Sequence, residues 1–303
     1  MATDTVAPDI KNEESPRGFG FVLTAYLIWG VLPLYMKALA HIPATEVIAH
    51  RILWSVPVAG AVLLALGRTG DVKAALTNPR TLAMASLTAV LITINWGTYV
   101  WAIGAGHSLD AALGYFVNPL FSIALGALLL KERLAPAQIV AIGLAAAAVV
   151  ILTVQAGTLP WVALSLTFSW GFYAFFRKTL PVGPNQGFFI EVLLLCIPAL
   201  LYIIYLEARG EGHLYRTGVT DMALLLGCGF VTALPLMIFA NGAKLLKLST
   251  IGIMQYIVPT MVFLIAVFLF KEPFGTTQLI AFSLIWAGLA LYSWSMLRQS
   301  RGR

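Results

Sequence analysis

A few polar and ionisable residues interrupt long apolar runs of this chain, and any chemistry must lie among them. Asn95, Trp96 and Tyr99 stand close together, with Asn95 and Tyr99 one helical turn apart and so on one helix face. Tyr115 and Asn118 share a face just before Pro119, and Gln255 and Tyr256 precede Pro259 in the same way. Amide and hydroxyl groups among aromatic rings are the usual lining of a small-molecule pocket, where a few polar atoms orient a mainly apolar ligand. The same groups also serve as hydrogen-bonding glue between helices. The sequence leaves both readings open. Pro119 removes a backbone donor inside a helix and frees a carbonyl for a kink or for a ligand.

The ionisable candidates are fewer. Glu46, His50 and Arg51 open one apolar run, and Glu46 and His50 can meet across one helical turn. Arg51 keeps its charge at any accessible pH, so it either faces a cavity as an anion anchor or snorkels outward to pair with Glu46. We prefer the pairing. Glu191 lies within Phe188-Phe189-Ile190-Glu191-Val192-Leu193-Leu194, and burial there would favour its protonated form, as a proton carrier requires. The competing reading, again preferred, pairs it with Arg177 or Lys178. Trp29 and Trp170 fall in the middle of apolar runs, either to stack on a ligand or to pack between helices. No Gly-rich phosphate loop, HExxH or GxSxG pattern occurs, so catalytic, metal and cofactor chemistry have no support. Cys196 and Cys228 sit in apolar runs without paired spacing and read as packing residues.

These residues need elements to hold them, and the composition says in what solvent. Of 303 residues, 60% are hydrophobic and 11% charged, against about 45–50% and about 25% in soluble domains. The chain reads as an all-α polytopic membrane protein. Crossing about 30 Å of hydrocarbon takes roughly 20 apolar residues. Ten runs qualify: 19–38, 46–66, 81–103, 109–130, 136–154, 159–177, 186–206, 221–241, 249–270 and 277–297. Short connectors rich in Gly, Pro and Asn separate them, and none is large enough for a soluble domain. The first 17 residues, with Asp4, Asp9, Lys11, Glu13, Glu14 and Arg17, read as a cytoplasmic tail and not as a cleaved leader. With that tail inside, most Lys and Arg fall in cytoplasmic loops, leaving Lys37, Arg209, Arg216 and Lys271 outside. Both termini are therefore expected in the cytoplasm. The net charge of +6 needs no nucleic acid to explain it.

The two halves also resemble each other. Trp29-Gly30 recurs as Trp170-Gly171 and Lys37 as Lys178 at one fixed offset. Pro119 recurs as Pro259, and Lys131-Glu132 as Lys271-Glu272, one residue short of it. Five spans per half is an odd number, so the second half must enter from the opposite side, as in the inverted-topology repeats of secondary transporters. The expected units are a tail over 1–17, repeats over 18–155 and 156–298, and a tail over 299–303.

Several motifs carry a family resemblance. Ala25-Tyr26-Leu27-Ile28-Trp29-Gly30 with Pro33, Tyr35 and Lys37, then His50-Arg51-Ile52-Leu53-Trp54-Ser55 and Asn95-Trp96-Gly97, resemble RarD-type (EamA-like) permeases of the drug/metabolite transporter superfamily. Leu113-Gly114-Tyr115-Phe116-Val117-Asn118-Pro119-Leu120 is the most specific match, and Arg177-Lys178 and Gln255-Tyr256-Ile257-Val258-Pro259-Thr260 continue it. The resemblance spans about residues 18–297. It implies ten transmembrane helices, two inverted five-helix repeats around a central cavity, and inner-membrane location. The RarD name is tied to chloramphenicol sensitivity.

The expected function is a secondary transporter of a small amphipathic organic molecule, in the direction of export, with the lipid bilayer as its other partner. It is expected to be a monomer or homodimer. An uptake permease or exchanger for a polar solute such as an amino acid is the alternative, and a membrane-embedded enzyme or lipid flippase a distant one. The expected substrate lining is Trp29, Asn95, Trp96, Tyr99, Tyr115, Asn118, Trp170, Gln255 and Tyr256, with His50, Arg51 and Glu191 as anion-anchor or coupling residues.

Overall fold

The computed structural model describes residues 15–130, 134–243, 245–246, 250–251 and 254–301, and every regular element among them is helical. The helices are α1 (Pro16–Ala38), α2 (Ala44–Ala65), α3 (Gly70–Thr77), α4 (Pro79–Ala105), α5 (Ser108–Leu130) and α6 (Pro136–Ala156). They continue as α7 (Trp161–Thr179), α8 (Pro184–Arg209), α9 (Val219–Ala243), α10 (Ile257–Leu264) and α11 (Thr276–Arg301). The tail ahead of residue 15, Lys131-Glu132 with Arg133, Lys244, Lys247 and the last two residues lie outside the described residues, as does the side chain of Lys178.

Helix ends follow ordinary backbone chemistry. Proline opens α1, α4, α6 and α8, where its missing N–H costs nothing. Glycines in the left-handed region close α4 at Gly106, α6 at Gly157 and α8 at Gly210. Asn78 caps α4 by accepting from the N–H groups of Arg80 and Thr81.

Eight of the described helices are long and apolar enough to cross a membrane, and this is an integral membrane protein. α7, with Arg177 near its end, and the short α10 are not among the eight. α3 was not expected: it is an eight-residue helix inside a connector. The expected run 249–270 is also interrupted. Gln255 and Tyr256 form a turn ahead of α10, and a π-helical turn, Ile265–Leu269, follows it. Continuous apolarity cannot report such breaks. The outer flanks are lipid-compatible: Leu128 and Val154 are each 78% exposed.

Packing joins the two halves of the chain throughout. α2 lies against α8 and α9, α1 against α9 and α10, α4 and α5 against α7, α5 against α10, and α6 against α11. Small residues permit the closest approaches. A Cβ at Gly114 would sit 2.7 Å from the Ala163 carbonyl, and one at Gly229 would collide with the backbone of Trp54. Outside these crossings, Glu272 in the α10–α11 connector caps α5, accepting from the N–H groups of Ser108 and Leu109 at 2.9 Å each.

Candidate functional site

α2 presents His50, Arg51 and Trp54 to the interior of the bundle, packed between α8 and α9. Arg51 is only 3% exposed. Its Nε donates to Thr232 Oγ1 of α9 at 3.0 Å, and its guanidinium carbon lies 5.0 Å from the Trp96 ring centroid on α4. Tyr35, Tyr99, Tyr115 and Cys228 are its electrostatic neighbours. The Nη1 group is buried and has no hydrogen-bond partner among the described residues. Among the described residues no carboxylate pairs with it.

The preferred pairing of Arg51 with Glu46 is therefore corrected. Glu46 accepts from the His213 backbone N–H and meets His213 Nδ1, both at 2.7 Å. Helix geometry explains the choice: residues five apart point about 140° away from each other, so Arg51 faces inward while Glu46 faces the α8–α9 connector. His50 does not meet Glu46 either. Its Nδ1 accepts from Trp54 Nε1 at 3.1 Å, and because an indole N–H only donates, the ring proton sits on Nε2. That Nε2 is also buried without a partner among the described residues.

Beside this cation lies a polar seam. Asn95 donates through Nδ2 to the Leu166 carbonyl at 3.1 Å and to Ser169 Oγ at 3.0 Å, both on α7. Its Oδ1 accepts from Tyr115 of α5 at 3.2 Å, and the Tyr99 and Tyr115 ring centroids are 5.8 Å apart. Asn95 thus ties α4, α5 and α7 together, which is glue geometry, while the rings it positions face Arg51. One turn from Tyr115, the buried Asn118 Oδ1 has no partner among the described residues.

The remaining candidates have other partners. Glu191, 1% exposed on α8, lies 3.4 Å from Arg177 Nη1 and accepts from the Tyr173 hydroxyl at 3.2 Å. This is the pairing preferred from the sequence. Trp170 packs on Tyr173 at 5.6 Å, and Trp29 on Tyr26 and Phe239 at 5.9 and 5.6 Å. Tyr256 lines a different recess, a groove of about 360 Å³ between α5, α10 and α11 with Phe116, Thr260, Trp286 and Ser293. Sequence reasoning missed Thr232, although a lone hydroxyl in Phe230-Val231-Thr232-Ala233 was a usable signal.

The EamA-like transporter family matches residues 16–154 and again residues 159–294. The chain belongs to that family. It is a membrane transporter, similar to proteins that bear that name or the name RarD. Protein RarD of Streptomyces exfoliatus is 42% identical over 293 residues, covering 96% of this chain and 93% of its own. A protein of Pseudomonas aeruginosa named as an uncharacterized transporter is 40% identical over 285 residues, covering 94% of this chain and 96% of its own. A protein solved by crystallography is 21% identical and superposes with a TM-score of 0.60 over 92% of this chain and 98% of its own, a likeness of fold alone.

Proposed function

We propose that the protein is a secondary transporter of ten spans, counting α7 and α10, built as two inverted repeats over 18–155 and 156–298. Both termini are cytoplasmic and the membrane is the inner one. The two successive family matches and the reciprocal packing of α1 on α9 and α4 on α7 support the repeat. The cargo is a small amphipathic organic molecule, exported by alternating access. Asn118 belongs to the lining beside Tyr115, with Trp29, Trp170 and Gln255 as further lining residues, and the protein works as a monomer or homodimer without a cofactor.

One observation carries this reading: side chains from both halves converge on Arg51, which bonds Thr232 of α9 and lies over the ring of Trp96 of α4. A buried polar and aromatic cluster at a seam between repeats is where transporters hold substrate. Overexpression and deletion strains, compared for intracellular and medium metabolite pools, test it. A compound that accumulates in the medium with overexpression supports export, and unchanged pools in both strains would refute transport. A periplasm-active reporter fused after Arg303 should stay silent; activity there breaks the ten-span topology.

A further inference from the structure

The central cluster is electrically incomplete. A guanidinium cannot shed its proton, and an unpaired charge at membrane depth is expensive. Arg51 has a hydroxyl and an aromatic face as partners, yet its Nη1 donor is buried and unused. On the same turn of α2, His50 Nε2–H is a second buried donor without an acceptor among the described residues. Among the described residues, the acids of α2, α8 and α9 are paired elsewhere: Glu46 with His213, Glu191 with Arg177, Glu207 with Arg216 and Asp221 with His41. The arrangement calls for one acceptor carrying one negative charge.

We infer that the cargo is an organic monocarboxylate without a charged amine, its carboxylate seated on Arg51 and its uncharged body against Trp96, Tyr99 and Tyr115. This rests on the transport reading and narrows its substrate class. A phosphate dianion would leave a second charge uncompensated beside a single cation and a neutral histidine. A zwitterionic amino acid would bring an ammonium with no free acid to receive it. The aromatic and hydroxyl surroundings suit an uncharged hydrocarbon or phenol-like body, with the guanidinium supplying orientation.

Two measurements separate this inference from the transport reading. In nanodiscs, 3-phenylpropionate should raise the melting temperature of the wild-type protein, and 3-phenylpropanamide and phenylalanine should not. Arg51→Gln should raise the half-saturating concentration at least tenfold, with Arg51→Lys intermediate and near wild-type stability without probe. An equal response to the amide, or a response surviving Arg51→Gln, overturns the inference. In the pool comparison, compounds that shift with wild-type expression should be monocarboxylates, and their shift should vanish in Arg51→Gln. Shifts confined to neutral, cationic or zwitterionic compounds, unaltered by Arg51→Gln, overturn the carboxylate and leave transport standing. If no pool shifts, transport fails, and the nanodisc result alone decides the carboxylate site.

Discussion

Arg51 on α2 and Glu191 on α8 occupy nearly matching points of the two halves, and the protein treats them in opposite ways. At the offset that aligns Trp29 with Trp170, and Pro57 inside α2 with Pro198 inside α8, Glu191 answers His50, the neighbour of Arg51. Both charged side chains are buried. The second half closes its charge locally, with Arg177 and Tyr173 of α7 gathered around Glu191. In the first half, the residue aligned with Arg177 is Met36, apolar and buried, and Arg51 is left open toward the aromatic rings. Duplicated halves can thus keep one packing scheme and diverge in electrostatics. A closed pair is a strut; an open cation is a socket.

Removing Arg177 should do the most damage, because it strands the Glu191 carboxylate in the interior. Arg177→Met is expected to cost about 3 kcal/mol, read by unfolding in micelles, and Arg177→Met with Glu191→Leu should recover most of it. A single variant as stable as wild type would show that the pair holds nothing. Asn95→Ala comes next, since it leaves Tyr115 and two α7 groups without their partner. A loss of about 1–2 kcal/mol is expected; loss of transport at full stability would instead make Asn95 a ligand contact. Arg51→Met should change stability by less than about 1 kcal/mol, since it removes a charge that has no counter-ion as well as two modest contacts. A drop as large as that of Arg177→Met would erase the contrast between the halves. The smallest effect is expected for Glu191→Gln in proteoliposomes. Because the wild-type carboxylate is paired with Arg177, any pH dependence of accumulation should be unchanged in the variant, and its loss would make Glu191 a proton carrier.

The spans were legible because hydrophobic length is a local property: α1 and α6 begin and end within a few residues of the runs that define them. Partner choice was not. Arg51 and Thr232 lie 181 residues apart, and no spacing rule links them until α2 packs on α9. Glu46 was assigned to its own helix because sequence neighbours are visible, whereas His213 arrives on a distant connector. Glu191 fared better because Arg177 sits just across a short loop, close in sequence as well as in space. The turn at Gln255 and Tyr256 escaped notice since polar residues ahead of a proline fit a kinked helix as well as a broken one.

The cap that Glu272 places on α5 has a mechanical consequence. Its two hydrogen bonds stitch the α10–α11 connector to the start of a helix from the other half, at one end of the bundle. Glu272 is 9% exposed, so pulling that seam apart would maroon a carboxylate and uncap two backbone donors together. Any rocking of one half over the other meets least resistance where no such stitch exists. At this end, any such rocking would have to carry α5 and the connector together or break both hydrogen bonds.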